Sequence, residues 1–557
     1  MKRIICITAA IVLLLVPAFV FAGGKQEAPK AAGEKGPQTA EELTIGIYND
    51  AGNVTIWGGG AYSPWVLDSV CERLTGPSPS GEELEMVLAE YVKPVTDDNT
   101  VWEIKLKAGV KWHDGTPLTS EDVKFTINYN REGPSNNRYS HHTSAVPRLP
   151  GEGITIIDEL TLRVTGAFPM PYFDREPCAE LPIVQKAQWE NIEDPRQFVG
   201  KSIGTGPYML IDYKVGEYYK LEANPDYHMG KPLVGRLTLV VIKDLSTMFT
   251  ALRSGEIDGA ARTMPVELVA DWKGDPNLNI VQVPYMWGAC VTLDNKNLPF
   301  GDLKTRKALS LCIDRDELLE IVALGQGLSG TLGYPHPEAF HASPDSFQAY
   351  DPAAGKKMFD ELGYIDVDGD GFRENPDGTK LDWRIIAETS QPLYVRAGEI
   401  LVDQLENVNI RAHVEAMEKA SFSETLYKKG NYNMSVGEFV PHGLCDDDMM
   451  MVLQYGEKKT DLMPYAERDQ ALLDWKAAGD KEGRLEASYK LQALINKYPK
   501  RVMLWYPHGF FAYNKNAYDN YSIVRGYNIF NKYSFIPNDA RDGFVLEDYP
   551  QTGFDNM

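Results

Sequence analysis

Basic residues, cysteines and long apolar runs are all scarce in this chain. Lys and Arg number 56 against 79 Asp and Glu, a formal net charge of −23. Such an acidic surface argues against nucleic acid and anionic membranes as partners and favours solubility. The six cysteines contain no Cys-x-x-Cys pair, which argues against a zinc or thiol-redox motif. Gly200-Lys201-Ser202 resembles part of a phosphate loop, but Pro195 stands where its first glycine belongs, so the motif fails. His141, His142, His336, His341 and His442 form no metal-ligand spacing. They read as isolated surface histidines rather than a metal site.

One apolar run is present, at the start. Lys2 and Arg3 precede Ile4–Phe21, apolar almost throughout and broken by Pro17, and Val20-Phe21-Ala22 suits a signal-peptidase site. Residues 1–22 read as a cleaved signal peptide. Cys6 lies at the start of the run and Gly23 follows the cut, so a lipoprotein anchor is not expected. Residues 23–42 are polar without an apolar period and read as a flexible leader. The mature chain would carry a net charge of about −25. It is too long for one core, which implies two to four lobes. Its five cysteines (Cys71, Cys178, Cys290, Cys312, Cys445) leave disulfides and buried thiols equally open.

Three motifs invite a chemical reading. In "GVKWHDGTPLTSEDVKF" (109–125), His113, Asp114 and Ser120 lie close together. Before them Trp102, Ile104 and Leu106 alternate with polar residues, the mark of a half-buried strand. Asp114-Gly115 is a turn pair, and Thr119-x-x-Asp122 signals a helix beginning near Ser120. The stretch therefore reads as strand, turn and helix, not as a catalytic set. Gly200-x-Ser202-x-Gly204 fits a nucleophile elbow, yet Gly206-Pro207 and a strand pattern come next, where that motif needs a helix. The third motif is "DVDGDGFRENPD". It places Asp366, Asp368, Asp370, Gly371, Glu374 and Asp377 at loop positions 1, 3, 5, 6, 9 and 12 of a calcium site. Position 12 lacks the longer Glu, and a strand pattern succeeds it instead of a helix. A structural Ca2+ and a plain acidic turn are both open there. No other cofactor is expected.

The run "LAEYVKPVTDDNTVWEIKLKAGVKWHDGTPLTSEDVKFTI" (88–127) resembles the signature region of family 5 extracellular solute-binding proteins. These are the oligopeptide, dipeptide and nickel receptors of ABC importers. Further resemblances occur in family order: "IGTGPYMLIDYKVGEYYKLEANPDYHMGKP" (203–232), "MFTALRSGEIDGA" (248–260), "DLKTRKALSLCIDRDELLEIVALGQG" (302–327), "YDPAAGKKMFDELGYIDVDGDGF" (350–372) and "RLEASYKLQALINKYPKRVMLWY" (484–506). The resemblance implies an α/β, type II periplasmic binding protein fold: two lobes closing on a ligand, plus a third extending lobe. Lobe I would comprise 43–75, 200–288 and 500–557, lobe II 76–199, and lobe III 289–499. Hinge segments would fall near Pro284–Ala289 and Met503–Pro507.

It also implies a function: a soluble, monomeric periplasmic receptor that binds a small ligand by lobe closure, docks on the permease subunits of an ABC importer and performs no chemistry. Peptide is the first ligand class. In peptide-binding relatives an acidic loop holds the α-ammonium. The matching place here carries Asp446 and Asp448, with Asp447 where relatives have proline. Arg396 stands where relatives carry an arginine near the ligand's carboxylate. Oligosaccharide is the alternative, because sugars need flat aromatic faces. Trp57, Tyr62 and Trp65, Tyr285 and Trp287, and Trp505 and Tyr506 are the candidates.

Overall fold

The structure is a computed structural model. It describes residues 36–48, 50, 69–77, 84–132, 146, 153–170, 173–175, 178–333, 335–339, 341–439, 465–478, 480–525, 528–545 and 549–554. The expected signal peptide, Trp57, Tyr62, Trp65, Asp446, Asp448, Cys445, His141, His142 and His442 lie outside the described residues. Those described form four sheets.

A seven-stranded sheet runs, in spatial order, Leu278–Val283, Gly509–Asn514, Gly259–Ala260, Ala40–Ile47, Val234–Val241, Tyr218–Ala223 and Tyr208–Lys214. Ala40–Ile47 lies parallel to both of its neighbours. The helix Leu245–Ser254 makes the crossover. Asp244 caps its start by accepting from Thr247 N–H, and Gly255 ends it in the left-handed region at φ 80°. The first strand begins three residues inside the segment expected to be a flexible leader. The reason is tertiary: Gly36 N–H donates to Asp519, Asp519 N–H donates to Pro37 O, and Ala40 N–H donates to Leu233 O.

A four-stranded antiparallel sheet contains Val101–Leu106. Trp102, Ile104 and Leu106 are buried and their neighbours half-buried, as the alternation requires. The helix Ser120–Glu132 covers it with Val123 and Ile127. A six-stranded sheet (Gly327–Ser329, Arg501–Pro507, Gly288–Leu293, Met434–Phe439, Trp383–Glu388, Ala412–Met417) carries the helices Leu303–Leu311, Arg315–Val322, Pro352–Glu361 and Pro392–Glu406. Asp314 caps the second of these through Glu317 N–H. Phe300, Phe359, Trp383 and Trp505 fill the core beneath them. The four described cysteines, Cys71, Cys178, Cys290 and Cys312, are buried, and Cys178, Cys290 and Cys312 carry free thiols.

The motifs quoted from the sequence converge on one carboxylate. Gly204 and Gly206 pass so close to Ser69 and Val70 that a Cβ would sit 1.7 Å from Val70 O or 2.5 Å from Ser69 O. Beside them Glu72, with no exposed side-chain surface, accepts from Lys532 Nζ at 2.7 Å, His228 Nε2 at 2.9 Å, Tyr227 OH at 2.7 Å and Thr205 Oγ1 at 3.1 Å. The Gly-Thr-Gly-Pro segment, the Asn-Pro-Asp-Tyr turn and the C-terminal region are thus fastened to one buried anion.

Candidate functional site

The catalytic readings dissolve into structural bonds. His113 accepts from Gly204 N–H at Nδ1 (3.2 Å), so its proton sits on Nε2 and goes to Gly206 O (3.0 Å). Burial holds this imidazole below its ordinary range. Asp114 accepts from Thr116 and from Gln185, and Ser120 donates to Asp158 O. Each side chain of the apparent triad is committed to a different partner. Ser202 lies in an irregular stretch with no strand before it, and the strand Tyr208–Lys214 comes after it.

A different constellation forms where the seven- and six-stranded sheets meet. The chain passes directly between them twice, from Leu278–Val283 into Gly288–Leu293 and from Arg501–Pro507 into Gly509–Asn514. The crossings touch: a Cβ at Gly509 would lie 2.8 Å from Tyr285 Cβ. Tyr285 and Trp287, both half-buried on the first crossing, stack with ring centroids 5.5 Å apart and an interplanar angle of 29°. Arg262, just past the short strand Gly259–Ala260, lies 5.5 Å from the Trp287 ring centroid and 5.3 Å from that of Tyr48. Its guanidinium then reaches Glu438, on the other sheet, at 3.7 Å. These side chains keep 19% and 25% of their surface exposed. Tyr394, in the first turn of Pro392–Glu406, has its hydroxyl near the Glu438 carboxylate. Burial and the carboxylate together push that hydroxyl well above the usual range. Burial likewise raises Tyr285, with Arg262 offsetting part of the effect.

This wall gathers two of the predicted residues, Tyr285 and Trp287, and four that carried no signal in the sequence: Tyr48, Arg262, Tyr394 and Glu438. Arg396 is exposed, two residues and so about 200° of helix beyond Tyr394. Trp505 and Tyr506 are interior. Trp505 is 3% exposed and lies under Tyr394 with ring centroids 6.4 Å apart. Tyr506 is fully buried, its hydroxyl paired with Thr331 Oγ1 at 2.8 Å and donating to Gly333 O at 3.2 Å. Strand alternation turns Trp505 toward the helices and Tyr506 to the opposite face.

Among the described residues, one group could hold a metal: Asp366, Asp368 and Glu374, whose donor oxygens lie within 4.8 Å of one another. Asp377, expected at the twelfth loop position, is not in it. Its carboxylate accepts from Thr379 in the next turn. His336 and His341, expected at the surface, are instead buried, packed into the interior away from this group.

The family description "Bacterial extracellular solute-binding proteins, family 5 Middle" matches residues 83–461. The chain is 26% identical over 352 residues to the oligopeptide-binding protein AppA of Bacillus subtilis, covering 62% of this chain and 63% of that relative. The match thus spans less than two thirds of the relative's length. Two solved structures share the fold. The NikZ structure from Campylobacter jejuni, in complex with Ni(L-His), has a TM-score of 0.75 at 21% identity, covering 89% of this chain and all of that one. The mannohexaose-bound periplasmic oligopeptide-binding protein from Thermotoga maritima has a TM-score of 0.71 at 20% identity, covering 91% and 98%. The fold is therefore that of the type II periplasmic binding proteins.

Proposed function

The chain belongs to the bacterial extracellular solute-binding proteins, family 5, and we propose that it captures peptides and delivers them to the permease subunits of an ABC importer. In this reading lobe I is 43–75, 200–288 and 500–557, lobe II is 76–199 and lobe III is 289–499. Lobes I and III close on the ligand about the two crossings. The observation that carries the proposal is Arg262, which reaches from one sheet toward Glu438 on the other between aromatic faces. A half-exposed ion pair across two lobes is a ready exchange site: a peptide carboxylate can take Arg262, and an amine can take Glu438. Asp446 and Asp448 are the further candidates for the α-ammonium, with Arg396 at the rim for the carboxylate. The receptor acts as a monomer, works in the periplasm after cleavage at Ala22 without a lipid anchor, and catalyses no reaction.

Calorimetric titration of residues 23–557 with di- to pentapeptides tests this. Saturable binding that weakens in Asp446→Asn is the expected result, and no heat with any peptide rejects the reading. The alternative is an oligosaccharide, favoured by the open stack of Tyr285 on Trp287 and by the sugar in the Thermotoga relative. Binding of mannohexaose alone, lost on Trp287→Ala, would replace peptide by sugar.

A further inference from the structure

The loop between the helix Pro352–Glu361 and the strand Trp383–Glu388 carries a feature that ligand capture does not use. Its acidic residues alone would be unremarkable, since exposed Asp-Gly turns are common. Glu374 separates it from them. This residue is 3% exposed. One carboxylate oxygen accepts from Val367 N–H at 2.7 Å, while the other is buried with no hydrogen-bond partner. A buried carboxylate oxygen without a donor is unfavourable unless a cation completes it. Glu374 also belongs to the trio whose donor oxygens lie within 4.8 Å of one another. Two oxygens opposed across Ca2+, each at 2.3–2.6 Å, are separated by about 4.6–5.2 Å.

The neighbouring cation Arg411 acts on Glu374 through its charge at a distance and gives its oxygen no hydrogen bond. Arg411 pairs with Asp370 at 2.5 Å, and Lys380 lies 3.5 Å from Asp370 and 3.7 Å from Asp368. Neither makes an ion pair with Asp366 or Glu374 in this arrangement. The frame is braced from behind. Arg373 donates to Val408 O and Asp360, its N–H donates to Asn409 O, and Asn409 Nδ2 donates to Gly371 O at 2.8 Å. Gly371, at the sixth loop position, turns the chain at φ 91°, a conformation that L side chains rarely adopt.

We propose that Asp366, Asp368 and Glu374 bind one Ca2+, completed by backbone and water oxygens, and that the ion stabilises the six-stranded unit independently of ligand capture. The hard, all-oxygen anionic donor set suits Ca2+. With three carboxylates the dissociation constant should fall in the range of extracellular calcium modules, about 10⁻⁴–10⁻³ M.

The test is calorimetric titration of Ca2+ into the chelator-stripped chain, with melting followed in parallel. One bound ion and a higher Tm in Ca2+ than in chelator are expected. Asp366→Asn and Asp368→Asn, both at exposed positions, should each weaken binding at least tenfold, and Glu374→Gln should abolish it. If Glu374→Gln does not fold, the two Asp variants decide. Asp377→Asn should bind as the parent does. No heat and no Tm change at about 10 mM Ca2+, above the weakest modules, would overturn the site. So would parental affinity in Asp366→Asn or Asp368→Asn, or an equal loss in Asp377→Asn.

Discussion

Glu72 and Glu438 each meet a basic side chain, and the two pairs are built for opposite purposes. Glu72 is sealed: its side chain has no exposed surface, Lys532 and His228 lie within 2.9 Å, and Tyr227 and Thr205 supply further donors. Glu438 and Arg262 are 3.7 Å apart and keep 25% and 19% of their side-chain surface in solvent. A sealed charge that loses its partner leaves an uncompensated ion in the core. A half-open pair costs little to exchange for another partner. The first geometry fastens segments together, and the second leaves a charge available to something that arrives later.

The sharpest way to break this contrast is to remove the sealed anion. Glu72→Gln should cost about 3–5 kcal/mol in denaturant unfolding, because Lys532 and His228 are left buried beside a neutral group. Adding Lys532→Met should recover part of that loss. Equal stability of Glu72→Gln and the parent would show that the junction is not a staple. Acid should act on the same group. Burial raises the Glu72 pKa, but Lys532 and His228 outweigh it and hold the group far below the usual carboxylate range. Its stabilisation is therefore full above the unfolded carboxylate pKa of about 4.3 and is lost as pH falls below that.

A second buried group sharpens the comparison at milder pH. His336 accepts from Glu338 N–H, and burial, aided by the charges of Arg525 and His508, lowers it to about 3. The unfolded chain takes up a proton near pH 6.5 that the folded chain refuses. Stability should thus be full above about pH 6.5 and fall on acidification, by up to about 1.4 kcal/mol per pH unit from this group. His336→Phe should flatten the slope of unfolding free energy between about pH 4 and 6.5. An unchanged slope would place the proton uptake elsewhere.

The half-open pair should behave in reverse. Arg262→Ala should change stability by about 1 kcal/mol or less, yet weaken peptide binding about tenfold, or 1.4 kcal/mol. Loss of stability without loss of affinity, read by melting and calorimetry together, would make Arg262 a second staple. The smallest effect is expected from exposed Arg396: Arg396→Ala should leave unfolding within about 0.5 kcal/mol of the parent. Any change in peptide affinity would then measure its role at the rim directly.

Much of the fold was legible locally. The alternation of Trp102, Ile104 and Leu106, the cap at Asp314 and the turn at Asp226, whose N–H donates to Asn224 Oδ1, are decided by residues within a few positions of one another. The site was legible only in part. Tyr285 and Trp287 stood out as aromatics near an expected crossing. Arg262 carried no signal beyond its place after a short strand, and Glu438 lay near the end of a strand like many exposed acids. Trp505 and Tyr506 show the converse error. An aromatic suited to stacking on a sugar is equally suited to a core, and sequence does not say which way a central strand faces.

What the sequence determined by itself was the succession of strands, turns and helices, the family and the spacing of the acidic loop, because those signals act over short stretches of chain. Only the tertiary structure decided that Glu72 would meet Lys532, 460 positions away, that Arg262 would face Glu438, and that Glu374 would be buried beside Asp366 and Asp368. Sheet order brings distant residues together, and burial then sets what a charge can do once it arrives. Neither is written in any one segment.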